Sequence, residues 1–175
     1  METYETLVEA LNHTDETVRL GALQKINGLL LDGKLDAPKR DVVTNNHIHT
    51  KYSFSPYSPA KAAWMGYQSG LATVGIMDHD TLMGAREFIT AGEILGIPTT
   101  VGYEMRTDWT GTPLADKRIN NPDQKGSAYI AAHGIPHQNI DGADAYLGDI
   151  RAARSKRNRA MVETMNAVTK PHGIC

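Results

Sequence analysis

The period of the apolar positions changes once along this chain, and the change divides it in two. In "HTDETVRLGALQKINGLLLDG", Leu20, Leu23, Ile26 and Leu30 recur at helical spacing and predict an amphipathic helix. Thr14 can cap it, Asp15 and Glu16 fall in the first turn where negative charge is favoured, and Gly33 can end it. Residues 1–36 therefore read as a helical extension, a single helix pair rather than an array. Its simplest role is a cap on the rest of the molecule; the alternative is a docking surface.

Beyond "KLDAPKR" short apolar runs alternate with helical stretches, and residues 37–175 read as one α/β domain. "DVVTNNHIHT" predicts a strand. Ser58 then caps a helix with Pro59 at its first position and Gly70 after its end. "LATVGIMDHD" is a second strand. "LMGAREFITAGEIL" is a second helix, with Asp80 or Thr81 as its cap, Leu82, Ala85, Phe88 and Ile89 on one face, and Gly96 and Pro98 to stop it. "IPTTVGYEM" and "SAYIAAHGIPH" are a third and a fourth strand. A last helix, from about Ala143 to Val168, is expected to turn Leu147, Ile150, Met161, Met165 and Val168 inward. This order is that of parallel βαβ units. Between Glu104 and Ser127 lies a polar, turn-rich stretch of roughly twenty residues, a length typical of lids and binding loops.

Composition narrows the function. A chain of 175 residues, 41% hydrophobic and 22% charged, is ordinary for a soluble globular domain. Lys+Arg 18 against Asp+Glu 20 leaves a net charge of -2, which argues against a broad nucleic-acid footprint. The basic run "RAARSKRNR" reads as a solvated helix face. One cysteine, Cys175, permits no intrachain disulfide and leaves nitrogen and oxygen as the ligands of any metal. The sequence shows neither a signal peptide nor an apolar run long enough to span a membrane, so a cytoplasmic protein without a membrane partner is expected.

The candidate chemistry sits at the strand ends. His47 and His49, one residue apart, point to the same side of their strand. The second strand ends in Asp78 and His79, the third near Glu104, and the fourth at His133 or just before His137. Intervals of about thirty residues match βα units, whose strand ends converge on one face of a barrel. Imidazole and carboxylate suit zinc, manganese or iron, and paired ions polarise a phosphoryl oxygen and acidify bound water. Taken singly, "DHDT" could be a capping turn and "HGIPH" a plain turn.

Together "HIHTKYSFSP", "GLATVGIMDHDT" and "GIPTTVGYE" resemble, in order and spacing, the polymerase and histidinol phosphatase (PHP) family of metal-dependent phosphoesterases. The likeness covers Asp41 to about Glu104, and "RAARSKRNRAMVETMNAV" is similar to the helix after the family's fourth strand. The resemblance implies a distorted (βα)7 TIM-like barrel holding two or three divalent ions, zinc, manganese or iron. It implies hydrolysis of a small phosphorylated metabolite or nucleotide by metal-activated water. By position, His47, His49, His79 and Glu104 would be metal ligands, with His133 and His137 as further candidates. Asp78 would orient a ligand from behind, and Arg106, ahead of Lys117 and Arg118, would hold the substrate phosphate.

Two departures matter. Phe54 and Ser55 stand where many members carry an aspartate or histidine for a further ion. Four βα units are too few to close the barrel, so the chain resembles an N-terminal fragment whose open edge invites self-association and whose own activity is expected to be small. Two other classes stay open: a non-catalytic interaction module, and a carbon–nitrogen hydrolase of similar barrel fold.

Overall fold

The computed structural model describes residues 3–173; Cys175 lies outside them. Four strands form one sheet in the order β1-β2-β3-β4: β1 Thr44–Ile48, β2 Thr73–His79, β3 Thr99–Asp108 and β4 Ser127–His133. β1, β2 and β3 run parallel, joined by α3 (Pro59–Gln68) and α4 (Ala85–Leu95). The fourth strand departs from the predicted pattern. No helix separates it from β3, and the long polar loop folds it back antiparallel, with Glu104 opposite Ala131. An antiparallel return needs only a loop, whereas a parallel one needs a crossover.

The sheet has two unlike faces. On one, Val74, Ile76 and Val101 pack under Trp64, Phe88, Ala91 and Leu95 of α3 and α4. The local signals act as expected there: the Ser58 side chain accepts from the Lys61 amide, and Pro59 opens the helix. Gly70 takes φ 76 after α3, where a Cβ would meet the Lys39 carbonyl at 2.4 Å. The cap of α4 is Gly84 instead of Asp80 or Thr81, because residues 80–84 make a separate turn in which Thr81 Oγ1 accepts from the Met83 amide.

The helical extension covers the outside of this layer. α1 (Tyr4–Ala10) and α2 (Glu16–Leu31) bury Leu7, Leu11, Leu23 and Ile26 in the same core as α3 and α4. Asp15, not Thr14, caps α2, accepting from the Thr17 amide. Arg19, invisible to a hydrophobicity pattern, is fully buried and forms a two-bonded ion pair with Glu87 of α4.

The other face is concave. β1 and β4 are the outer strands, about 14 Å apart in a flat sheet at roughly 4.8 Å per strand. The His47 and His133 rings that they carry nevertheless lie 6.3 Å apart, so the sheet curls into a half-barrel. Part of the curl originates in β1 and β2. Asn46 and His47 together stand opposite the single Gly75, a β-bulge, and Thr100 of β3 hydrogen-bonds to Asn46 across that glycine at 3.1 Å.

The C-terminal helix differs from its prediction. It is two helices, α5 (Ile140–Tyr146) and α6 (Gly148–Thr169). Leu147 is fully buried between them, but Met161, Met165 and Val168 are 62%, 62% and 63% exposed. The face of α6 that turns inward is polar, led by Arg151 and Arg154. No helix among the described residues is long and apolar enough to cross a membrane.

Candidate metal centre

Three imidazoles converge on one carboxylate oxygen in the concave face. Glu104 Oε2 lies 3.1 Å from His47 Nε2, 3.5 Å from His79 Nε2 and 3.8 Å from His49 Nε2. Donor atoms of His47, His49 and Glu104 all fall within 4.8 Å of one another, the spread expected of ligands around an ion. The alternation that predicted the histidine pair holds, since Ile48 between them packs on the core side. His79 and Glu104 are cross-strand partners in the β2–β3 ladder, which places both on one face by register.

The environment favours neutral imidazoles. Burial holds the His49 pKa below its ordinary value, with the neighbouring His47 adding to the effect. Burial likewise lowers His79. A neutral ring keeps one lone pair for an ion. At His49 the hydrogen bonds select which nitrogen carries it. Ser53 Oγ donates to Asp78 Oδ1 at 2.7 Å, so the 3.1 Å contact with His49 Nδ1 has the ring as donor, and Nε2 faces Glu104 unprotonated.

Asp78 lies on the opposite side of β2 from His79 and is buried. It accepts from the Thr50 amide at 2.6 Å and hydroxyl at 2.5 Å as well as from Ser53, and so fixes the loop that carries His49. Phe54, the departure from the family pattern, sets its ring edge-on to His79 at 4.8 Å and to His49 at 6.2 Å.

The remaining predicted residues divide. His133 ends β4, exposed, with its ring beside His47. His137 lies on the 3-10 turn His137–Asn139, exposed, and takes no part in the convergent set. Arg106 bonds Ser127 through Nε at 2.9 Å and lines a cavity of about 510 Å³ that reaches His79. Lys117 faces Asp116 on the loop instead. Sequence reasoning missed the α6 arginines. Arg154 and Arg157 line this cavity with Lys125, and only the spacing 151, 154, 157 along one helix face could have pointed to them.

The donor set suits a divalent ion bound by nitrogen and oxygen. No family model matches the chain. A 5'-3' exoribonuclease of Haemophilus influenzae is 32% identical over 65 residues, 37% of this chain and 24% of that protein. Two solved structures share the fold. One, from Bifidobacterium adolescentis, is provisionally assigned as a metal-dependent phosphoesterase; it has a TM-score of 0.57 and 25% identity over 75% of this chain and 40% of its own. The other is an amidohydrolase from Chromobacterium violaceum with bound sulfate and no metal, TM-score 0.57 and 24% identity over 71% of this chain and 39% of its own. The chain thus spans well under half the length of each. Its fold is shared with part of each of these two proteins, and a candidate divalent-metal site lies in its concave face.

Proposed function

We propose that the chain carries part of the metal centre of a PHP-type phosphoesterase, with the half-barrel as one portion of a distorted seven-stranded barrel. The observation that carries this reading is the convergence of His47, His49 and His79 on Glu104 Oε2. These four residues would hold two or three zinc, manganese or iron ions, with His133 at hand beside His47. Bound there, the ions would polarise a phosphoryl oxygen and activate water for attack at phosphorus.

The chain's own residues supply the rest. Asp78 and Ser53 hold His49 in the tautomer that leaves Nε2 free. Arg106, Lys125, Arg154 and Arg157 give the adjoining cavity a cationic lining, against Asp80 and Asp108. That lining complements a small phosphorylated metabolite or nucleotide, with Arg106 the residue that would hold its phosphate. The match to an exoribonuclease favours a substrate of nucleotide type. The amidohydrolase neighbour keeps a second reading open, carbon–nitrogen hydrolysis at the same centre.

The test pairs elemental analysis with a substrate screen, on protein purified without chelators or a histidine tag. Transition metal is expected in the chain and absent from His47→Ala/His49→Ala. Phosphoester hydrolysis, in this chain or in a longer form of it, is expected to vanish with the metal. Equal metal content in both proteins would overturn the site, and turnover of amides but not phosphoesters would establish the second reading.

A further inference from the structure

The turn after His79 is held in an unfavourable conformation by groups from three other parts of the chain. Asp80 has φ 58, the one non-glycine residue with positive φ among those described. Its amide donates to the Glu104 carbonyl at 2.9 Å, extending the ladder that pairs the two candidate ligands. Its carbonyl accepts from Arg151 Nη1 at 3.1 Å, and Arg151 is itself fixed by two bonds to Asp144 of α5. Its carboxylate Oδ2 accepts from Arg154 Nη1 at 2.6 Å, while Oδ1 is buried without a partner. Asp80 is only 5% exposed, so Arg154 is what balances a buried charge beside the site.

Left alone, an aspartate in this setting would leave the left-handed region and rotate toward water. Either movement pulls on His79, the preceding residue. α6 otherwise has little hold on the sheet, since none of its side chains is fully buried. Its inward arginines therefore act on the turn more than they pack a core.

We infer that Arg154, seconded by Arg151, is a positioning residue for the metal centre. It locks Asp80 in the left-handed conformation that aims His79 at Glu104. This rests on the metal-binding reading above. It also turns part of the basic run "RAARSKRNR" from a solvated face into a structural element of the site.

The experiment is a set of affinity measurements for zinc and cobalt by chelator competition, with the visible spectrum of bound cobalt reporting ligand geometry. The proteins are the full chain, Arg154→Ala, Arg154→Lys and Arg154→Ala/Asp80→Gly. Arg154→Ala is expected to weaken binding roughly 10- to 100-fold, as loss of ligand-orienting partners does, and to alter the cobalt spectrum. Arg154→Lys, which keeps a charged donor, recovers most of the affinity. The double variant decides the mechanism, and it folds without an unpaired buried carboxylate. Glycine adopts positive φ freely, so it makes Arg154 dispensable and restores the affinity and spectrum of the parent chain. Unchanged affinity in Arg154→Ala, or a double variant as weak as the single one, would overturn the inference alone. A parent chain that binds neither metal would overturn the metal reading and this inference with it.

Discussion

At the scale of single residues, the candidate metal centre depends on keeping two histidines neutral. His49 and His79 both have lowered pKa values, in each case first through burial. A base whose folded pKa lies below its unfolded value of 6.5 binds protons more readily when unfolded. Its contribution to stability is therefore complete above 6.5 and is lost as the pH falls through the window below. We expect the thermal midpoint of the metal-free chain to drop as the pH is lowered from 6.5, and the drop to be shallower in His49→Gln/His79→Gln. Unfolding curves in chelator across that range check it; equal slopes for the two proteins would place the acid sensitivity elsewhere. The histidines themselves were legible in the sequence, because a strand's alternation and its β–α interval fix where they point. Their state was not: it depends on burial, and the tautomer of His49 on Ser53 and Asp78, all of which come into being only once the chain has folded.

At the scale of elements, the three parallel strands and the helices between them followed from local signals such as the Ser58 cap and the apolar run of β2. The direction of β4 did not follow, since a strand's own residues do not record whether the preceding loop crosses over or turns back. The exposed apolar half of α6 was misread for a related reason: helical spacing marks a stripe without saying what covers it. Gly75 is the least conspicuous of the determinants. A Cβ there would meet Thr100 Oγ1 at 2.3 Å and the Asn46 Cα at 2.7 Å, the pair whose contact helps draw β1 and β3 together over β2. Gly75→Ala should therefore push β1 outward, cost about 1–3 kcal/mol as overpacking does, and weaken metal binding by moving His47 from Glu104. Gly21→Ala, on α2 with nothing within 4 Å of the added carbon, is the control and should not destabilise. Denaturant midpoints and zinc affinity test the pair. A Gly75→Ala chain with the parent's zinc affinity would show that the bulge at Asn46–His47 sets the curl by itself.

At the scale of the molecule, buried contacts tie the helical extension to the rest of the chain. Glu87 of α4 accepts from Arg19 Nε at 2.7 Å and Nη2 at 2.5 Å, and from the Ala60 amide of α3 at 3.0 Å. Arg19 also donates to the carbonyls of His13 and Thr14, which fixes the link between α1 and α2. One ion pair thus joins α2, α3 and α4, with both side chains 2% exposed. Neither charge can be stranded cheaply in that position. Glu87→Ala leaves a buried guanidinium without its partner, a loss of about 3–5 kcal/mol, or about 10 °C in midpoint for a chain of this size. Replacing both residues, as in Arg19→Met/Glu87→Met, removes the stranded charge and should cost less than the single change. The parent chain should then unfold in one transition, seen alike by helical circular dichroism and by the fluorescence of buried Trp64. If the extension melted first, with Trp64 undisturbed, it would be a detachable docking element. Coincident transitions, both lowered by Glu87→Ala, would make it a cap without which the half-barrel and its candidate metal centre do not hold their shape.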